Sequence, residues 1–419
     1  MTILVFIILL FLLVLGAPIF AVVSALGLFL LFSSQIDSSA MIIEMYRMAT
    51  TPFLVAIPLF TFAGYLLSES GAPKRLIRLS DAILGWLPGG LSIIALLTCA
   101  IFTALTGATG LTIIALGGIL FPAMLRGKYP ETFSLGLLTT SGTLGLLFPP
   151  SLPLIIYAIV AQVRIDQLFL AGILPGIFLV LLLSGFSVLK ALVVKVPRSR
   201  FNFLEVFKAL RGSIWELPLP IVVLGGIYSG YLAVSEAAAI TVAYVLLIEV
   251  VLYKDIKWTE LHTIMRKSMV LVGGILIILG AAMGLTNYLI DEQVPIKMLD
   301  FLQARVTNPF VFLIMLNLFL LAVGCTMGIF SALIVVVPLI TPIADAYGIH
   351  PIHLGIIFLT NLEIGASIPP LGINLFISSI RFEKPVLRLY LASLPFIAIL
   401  LFALAVITYF PRLSLVLIR

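Results

Sequence analysis

Thr140-Ser141-Gly142-Thr143-Leu144-Gly145-Leu146-Leu147-Phe148-Pro149-Pro150 returns 220 positions later as Thr360-Asn361-Leu362-Glu363-Ile364-Gly365-Ala366-Ser367-Ile368-Pro369-Pro370. The same offset, without gaps, sets Pro122 on Pro342 and Leu174-Pro175 on Leu394-Pro395. A Pro-Pro pair removes two backbone donors and stops a helix. Carbonyls freed in this way are tolerated in hydrocarbon only where protein buries them or where they line a cavity. Broken helices at matching places in two halves point to the binding site of a transporter.

The surrounding composition sets the class. Of 419 residues, 62% are hydrophobic and 10% charged, with a mean hydropathy of +1.28; soluble domains carry about 25% charged residues. The reading is an all-α polytopic membrane protein without a sizeable soluble domain. Met1 to Leu15 is apolar and lacks a basic start, so it is expected to be a retained helix rather than a cleaved signal. The net charge of +6 comes from membrane-flanking Lys and Arg and predicts no nucleic-acid partner. Cys99 and Cys325 each stand alone in apolar sequence, so neither a disulfide framework nor a metal site is expected from them.

Charge placement orders the spans. The connections around 74–78, 126–128, 190–211, 254–267 and 381–388 hold 18 of the 24 Lys and Arg, including Arg198 and Arg200. The other side has Arg47, Arg164, Lys297, Arg305, Arg412 and Arg419. The positive-inside rule makes the first set cytoplasmic. The basic stretch 74–78 corresponds at offset 220 to 294–298, which has one Lys and follows Asp291 and Glu292. The halves are therefore read as inverted repeats. The first repeat is 1–192, with scaffold helices at about 1–70 and a hairpin and broken helix at about 91–162. A cytoplasmic linker at 193–216 follows. The second repeat is 217–411, with scaffold helices at about 217–290 and a hairpin and broken helix at about 309–380.

Each long apolar stretch flanked by one side's charges must turn back as a re-entrant hairpin. The first tip is predicted at Thr103–Gly110, with Thr109 or Thr112 capping the returning helix; the second is near Gly324–Gly328, with Ser331 as cap. A tip facing a broken helix gathers carbonyls and hydroxyls for a hard cation such as sodium, and half-helix N-termini for an anion. The first sodium site is predicted at Thr103, Thr106, Gly145, Phe148 and Pro150, the last three through their carbonyls. The second combines Gly324, Met327 and Gly328 with Gly365, Ile368 and Pro370. No Lys or Arg is placed within a span, so an anionic substrate would meet helix N-termini, Thr109, Ser151, Asn361, Ser367 and Asn374. The alternative is that these are ordinary Gly/Pro kinks; duplication at matched places argues against it.

Glu363 falls inside the second break, and an intramembrane carboxylate is a functional candidate by default. It would coordinate the cation, carry a proton, or brace the hairpin. Glu236, following Ser235, fits a helix N-terminus that Ser235 would cap. His262, His350 and His353 lie in loops or at span ends, and no hydrolase constellation is present, so no enzyme is expected.

The chain resembles the large membrane subunit of tripartite ATP-independent periplasmic (TRAP) transporters over nearly its whole length. The resemblance rests on Gly145-x-x-x-Pro149-Pro150-Ser151-Leu152-Pro153-Leu154-Ile155-Ile156-Tyr157, Leu168-Phe169-Leu170-Ala171-Gly172-Ile173-Leu174-Pro175-Gly176, Ser235-Glu236-Ala237-Ala238 and Pro369-Pro370-Leu371-Gly372-Ile373-Asn374-Leu375-Phe376. It implies an elevator-type fold like those of the ion-transporter superfamily. The implied function is sodium-driven import of an organic acid, such as a C4-dicarboxylate or sialic acid, across the bacterial inner membrane. It also implies two partners: a soluble periplasmic binding protein and a small four-helix membrane subunit, expected here as a separate chain. The chain departs from the family where Gly328 replaces a frequent acidic residue and Ile368 a frequent Thr. The carbonyl reading survives both departures. A stand-alone sodium/dicarboxylate symporter of related fold is the alternative.

Overall fold

The protein is described here by a computed structural model covering residues 2–197 and 202–418. Arg198, Arg200 and Arg419 of the charge analysis lie outside the described residues. Among the described residues all regular structure is helical. Eight helices are long and apolar enough to cross a membrane, and the bent pair Glu131–Leu147 and Leu152–Val160 makes a ninth.

In chain order, α1 (Thr2–Val14) and α2 (Ile19–Ser33) part at Gly16, whose φ is +93°, and Pro18. α3 (Ser39–Ala49) and a 3-10 turn (Pro52–Val55) lead into α4 (Ala56–Glu69) and α5 (Ala72–Leu84). α6 (Gly90–Thr106) and α7 (Thr109–Arg126) form the first hairpin, turned by Gly107 at φ +66°. α8 (Glu131–Ser141), a 3-10 turn (Leu144–Leu147) and α9 (Leu152–Val160) make the first broken span. α10 (Ile165–Val194) ends the repeat, and α11 (Phe203–Gly212) lies in the linker.

The second half follows as α12 (Pro218–Tyr228), α13 (Val234–Leu246, extended by a π-helical stretch Leu247–Leu252), α14 (Trp258–Asp291) and α15 (Val294–Gln303). α16 (Pro309–Thr326) and α17 (Ile329–Ala346) form the second hairpin, α18 (Pro351–Gly365) and α19 (Ile373–Phe382) the second broken span. α20 (Val386–Tyr409) and α21 (Arg412–Leu415) close the chain.

The offset of 220 holds at the level of whole helices. Added to α6 and α7 it gives 310–326 and 329–346, against 309–326 and 329–346 for α16 and α17. The partners are also exchanged between halves. α7 packs on α19 and α17 on α9; α8 lies along α20 and α18 along α10; α4 crosses α13 and α14 crosses α2. Each half thus packs against elements of the other.

Several sequence expectations change. α5 and α15 are helices where the charges suggested connections. α14 has 34 residues instead of spanning only 268–289, and at 1.5 Å per residue it is roughly 50 Å long, well beyond a hydrocarbon core of about 30 Å. Basic residues do enter helix ends: Lys190 lies in α10, Arg266 and Lys267 in α14, and Arg381 in the last turn of α19. Neither Thr109, Thr112 nor Ser331 caps its helix, because the N-caps are Ala108 and Gly328 without side-chain bonds. Ser235 is likewise not the cap; the Glu236 carboxylate accepts from the Ala233 N–H at 2.8 Å and satisfies the first turn itself.

One ion cluster ties α5 down. The Arg75 guanidinium bonds Glu216, Glu249 (2.9 Å) and Asp255 and stacks on the Tyr253 ring, joining α5 to the ends of the linker and of α13. Burial lowers the Arg75 pKa, but the hydrogen bond to Asp255 and the charges of Glu249 and Glu216 outweigh it and hold it above its ordinary value. Position 295, its repeat counterpart, is Pro, and α15 has no such cluster.

Candidate functional site

The first hairpin tip is seated on the first break. At Gly145 the 3-10 turn meets α6 so closely that an added Cβ would lie 2.5 Å from Thr103 Cβ and 2.6 Å from the Ala104 nitrogen. On the other side of the break, a Cβ at Gly107 would lie 2.6 Å from Leu152 Cβ. Only glycine permits both approaches. Thr103, Thr106 and Ser151 are buried to 1% exposure or less. Both Pro-Pro bonds, Pro149–Pro150 and Pro369–Pro370, are cis.

The hydroxyls divide into used and unused. Thr103 Oγ1 donates to the Gly142 carbonyl at 2.7 Å and shares a bond with Thr112 Oγ1 at 2.6 Å, so it fastens the hairpin rather than facing an open space. Thr106 Oγ1 and Ser151 Oγ have no partner. The Gly145 carbonyl accepts from the Phe148 N–H, closing the turn. Among the described residues no group donates to the Phe148 or Pro150 carbonyl. Two orphan hydroxyls and two open carbonyls suit a hard cation that takes only oxygen ligands.

The second break is built alike but stands open. Gly324 and Gly365 cross at their backbones, where a Cβ on Gly365 would sit 2.8 Å from Gly324 Cα; Ala104 and Gly145 are their counterparts. Gly328 and Pro370 are exposed, with Met327 and Ile368 partly so. Here the carbonyls are already engaged. Ile368 O accepts from Cys325 Sγ (3.3 Å) and the Gly372 N–H (3.0 Å), and Pro370 O accepts from the Tyr390 hydroxyl (2.6 Å).

The predicted substrate residues separate into two groups. Thr109 Oγ1 donates to Asn374 Oδ1 (3.0 Å), and Asn374 Nδ2 donates to Ser367 Oγ (3.3 Å). This chain joins the N-termini of α7 and α19, side by side across the two repeats. Asn361 does not join it. Its Nδ2 donates to Asn317 Oδ1 and the Ile357 carbonyl, both at 2.8 Å, and Asn317 Nδ2 reaches Thr408 Oγ1 at 3.1 Å. Asn361 is therefore a brace between α18, α16 and α20. Asn317 and Thr408 were missed from the sequence because their counterparts, Leu97 and Val188, are apolar and carry no repeated signal.

Glu363 is fully buried, and among the described residues no hydrogen bond ties it to either hairpin; the side chain beside it is Thr143, its own counterpart at the offset of 220. Among the described residues no group of three or more His, Cys, Asp or Glu is placed to hold a metal. An apolar cleft of about 360 Å³ lies beside the first break, lined by Ala104, Leu105, Phe148, Pro149 and, from α12, Pro220. A larger cleft of about 570 Å³, with Arg47 and Arg164, lies between α3 and the α9–α10 turn, away from both breaks.

Two hairpins seated on two broken spans, inside a bundle of membrane-crossing helices, define a secondary-transporter architecture. The DctM component of tripartite ATP-independent periplasmic transporters matches residues 3–413, and the chain belongs to that family. It is 36% identical over 389 residues to the C4-dicarboxylate TRAP transporter large permease protein DctM of Pseudomonas aeruginosa, covering 93% of this chain and 91% of that one. It is 31% identical to the ectoine TRAP transporter large permease protein TeaC of Halomonas elongata, covering 96% of each. The fold is also that of the Alcanivorax borkumensis YdaH transporter, described as having an unusual topology, with a TM-score of 0.60, 17% identity, and coverage of 88% of this chain and 86% of that one. The protein is a multi-pass inner-membrane TRAP large permease subunit, and these relatives are transporter subunits rather than enzymes.

Proposed function

We propose that this subunit imports an organic acid by sodium symport, with an elevator movement of the two hairpins and two broken spans against the remaining helices. A soluble binding protein delivers the substrate, and a small four-helix subunit completes the membrane part. The observation that carries the coupling is the first break. Orphan Thr106 and Ser151 hydroxyls are buried where the hairpin tip meets the break, and no group among the described residues donates to the Phe148 and Pro150 carbonyls of that break. The substrate carboxylate is assigned to the Thr109–Asn374–Ser367 chain, where two helix N-termini lie side by side and favour negative charge. Inversion of the repeats is supported by the basic stretch 74–78 against the single Lys297 in 294–298. The exchanged packing of α7 on α19 and α17 on α9 supports a single moving body.

Thermal unfolding of the purified chain in sodium against choline chloride tests the coupling, because ligand bound only by the folded state raises stability with log concentration. A saturable, sodium-specific rise that is weakened in Ser151→Ala is expected. An identical rise in both, or none in the parent, refutes the first site. Uptake of a carboxylate panel by the reconstituted complex, with and without its binding protein, then tests the substrate class and the partner.

A further inference from the structure

The offset of 220 pairs the oxygen atoms of the two breaks place by place, and the pairs are unequal. Thr103 corresponds to Val323, which has no hydroxyl. Thr106, buried with its hydroxyl unpartnered, corresponds to Thr326. That residue is exposed, and its hydroxyl turns back on the Ala322 and Val323 carbonyls of its own helix at 3.0 and 3.2 Å. Ser151, the other orphan hydroxyl, corresponds to Leu371, which offers no side-chain oxygen.

The break carbonyls differ in the same direction. No group among the described residues donates to Phe148 O, whereas its counterpart Ile368 O accepts from both Cys325 Sγ and the Gly372 N–H. Pro150 O likewise lacks a donor, whereas Pro370 O accepts from the Tyr390 hydroxyl at 2.6 Å. The two side-chain donors have Leu105 and Leu170 as counterparts, so the first break has nothing equivalent. Carbonyls at the C-terminal end of the leading hairpin helix are left over in both halves, as at any helix end. The halves therefore differ in what the break sets opposite them. A cation entering the second break would have to displace Cys325 and Tyr390 from their acceptors. It would still meet no free side-chain oxygen there.

We propose that the cation is held at the first break alone, and that at the second the Cys325 thiol and the Tyr390 hydroxyl stand in its place. Cys325 fastens the break to the second hairpin, and Tyr390 fastens it to α20. This inference rests on the sodium reading above and sets its count at one ion per chain. With a single sodium as co-substrate, a monocarboxylate crosses without net charge, and a dicarboxylate carries one negative charge across.

Equilibrium binding of radioactive sodium to the purified chain counts the ions directly. Ser151→Ala and Thr106→Val probe the first break and Tyr390→Phe the second, with thermal unfolding in choline chloride as the check that each variant is folded. The expected result is one ion per parent chain, with affinity about tenfold lower in Ser151→Ala or Thr106→Val. Tyr390→Phe should still bind one ion at parental affinity, because Val323 and Leu371 continue to supply no oxygen. Two ions per parent chain, one of them unweakened in Ser151→Ala, overturn this inference and leave the first site standing. A single ion weakened in Tyr390→Phe, and in neither first-break variant, overturns both this inference and the first site. No saturable sodium binding by the parent overturns the coupling reading itself.

Discussion

Gly145→Ala isolates the fit between hairpin and break. The new methyl would lie 2.5 Å from Thr103 Cβ and 2.6 Å from the Ala104 nitrogen, with the Ala100 carbonyl closer still. Ordinary contact is nearer 4 Å. Two of these three obstacles are backbone atoms of α6, which no rotamer change moves, so the turn and the hairpin must separate by about an ångström. Overpacking of this kind costs about 1–3 kcal/mol. Gly185 of α10 is the control, since nothing lies within 4 Å of a Cβ built there. In a helix interior, Gly185→Ala gains up to about 1 kcal/mol from propensity. The two single-methyl variants should therefore differ by roughly 1–4 kcal/mol, a shift of several degrees in unfolding temperature, with Gly145→Ala the lower. Separation also pulls the hairpin tip away from the break, so the stabilisation by sodium should fall in Gly145→Ala and persist in Gly185→Ala. Scanning fluorimetry in detergent, at several sodium concentrations, reads both effects. Equal unfolding temperatures together with a parental sodium response in Gly145→Ala would refute the claim that the break is held by this close approach.

Arg75→Met should destabilise by about 3–5 kcal/mol, because it leaves Glu249 and Glu216, at 0% and 5% side-chain exposure, without their positive partner; adding Glu249→Gln should recover part of the loss in the same unfolding assay. Asn361→Leu should cost about 1–3 kcal/mol by removing the donor to the buried Asn317 Oδ1 in the α16–α18–α20 brace. It should leave the substrate KM of the reconstituted complex unchanged, and a large KM increase at parental stability would return Asn361 to the substrate site.

The punctuation of the fold was legible because it is chemical. Both Pro-Pro pairs dictate breaks and Gly107 dictates the first turn whatever surrounds them, while the second hairpin turns at Met327-Gly328, at the matching place but without a left-handed glycine. Amphipathic α5 and α15 were hidden, since Lys74, Arg75 and Arg78 mark a membrane side equally well from a loop or from a surface helix. At the site, residue types were readable and their engagement was not. Whether the Pro370 carbonyl is free depends on Tyr390, twenty positions away, and whether Thr109 is free depends on Asn374, 265 positions away. Asn361 belongs to the same motif as Ser367, but it lies within α18, before the break, and its amide is taken up by Asn317 and the Ile357 carbonyl rather than by the Thr109–Asn374–Ser367 bonds.

Glu363 lies beside Thr143, its own counterpart at the offset of 220, and this bears on how such a chain can change. If the two halves were identical protomers, position 143 would face its own copy across a two-fold axis, as in any isologous contact. Only Thr–Thr or Glu–Glu could then occupy it, and the second buries two carboxylates against each other. Joined in one polypeptide, the two places mutate independently, and a single acid can stand where symmetry would have demanded a pair. The tandem chain thus holds one acid at this position, where a symmetric dimer of its halves would hold two or none.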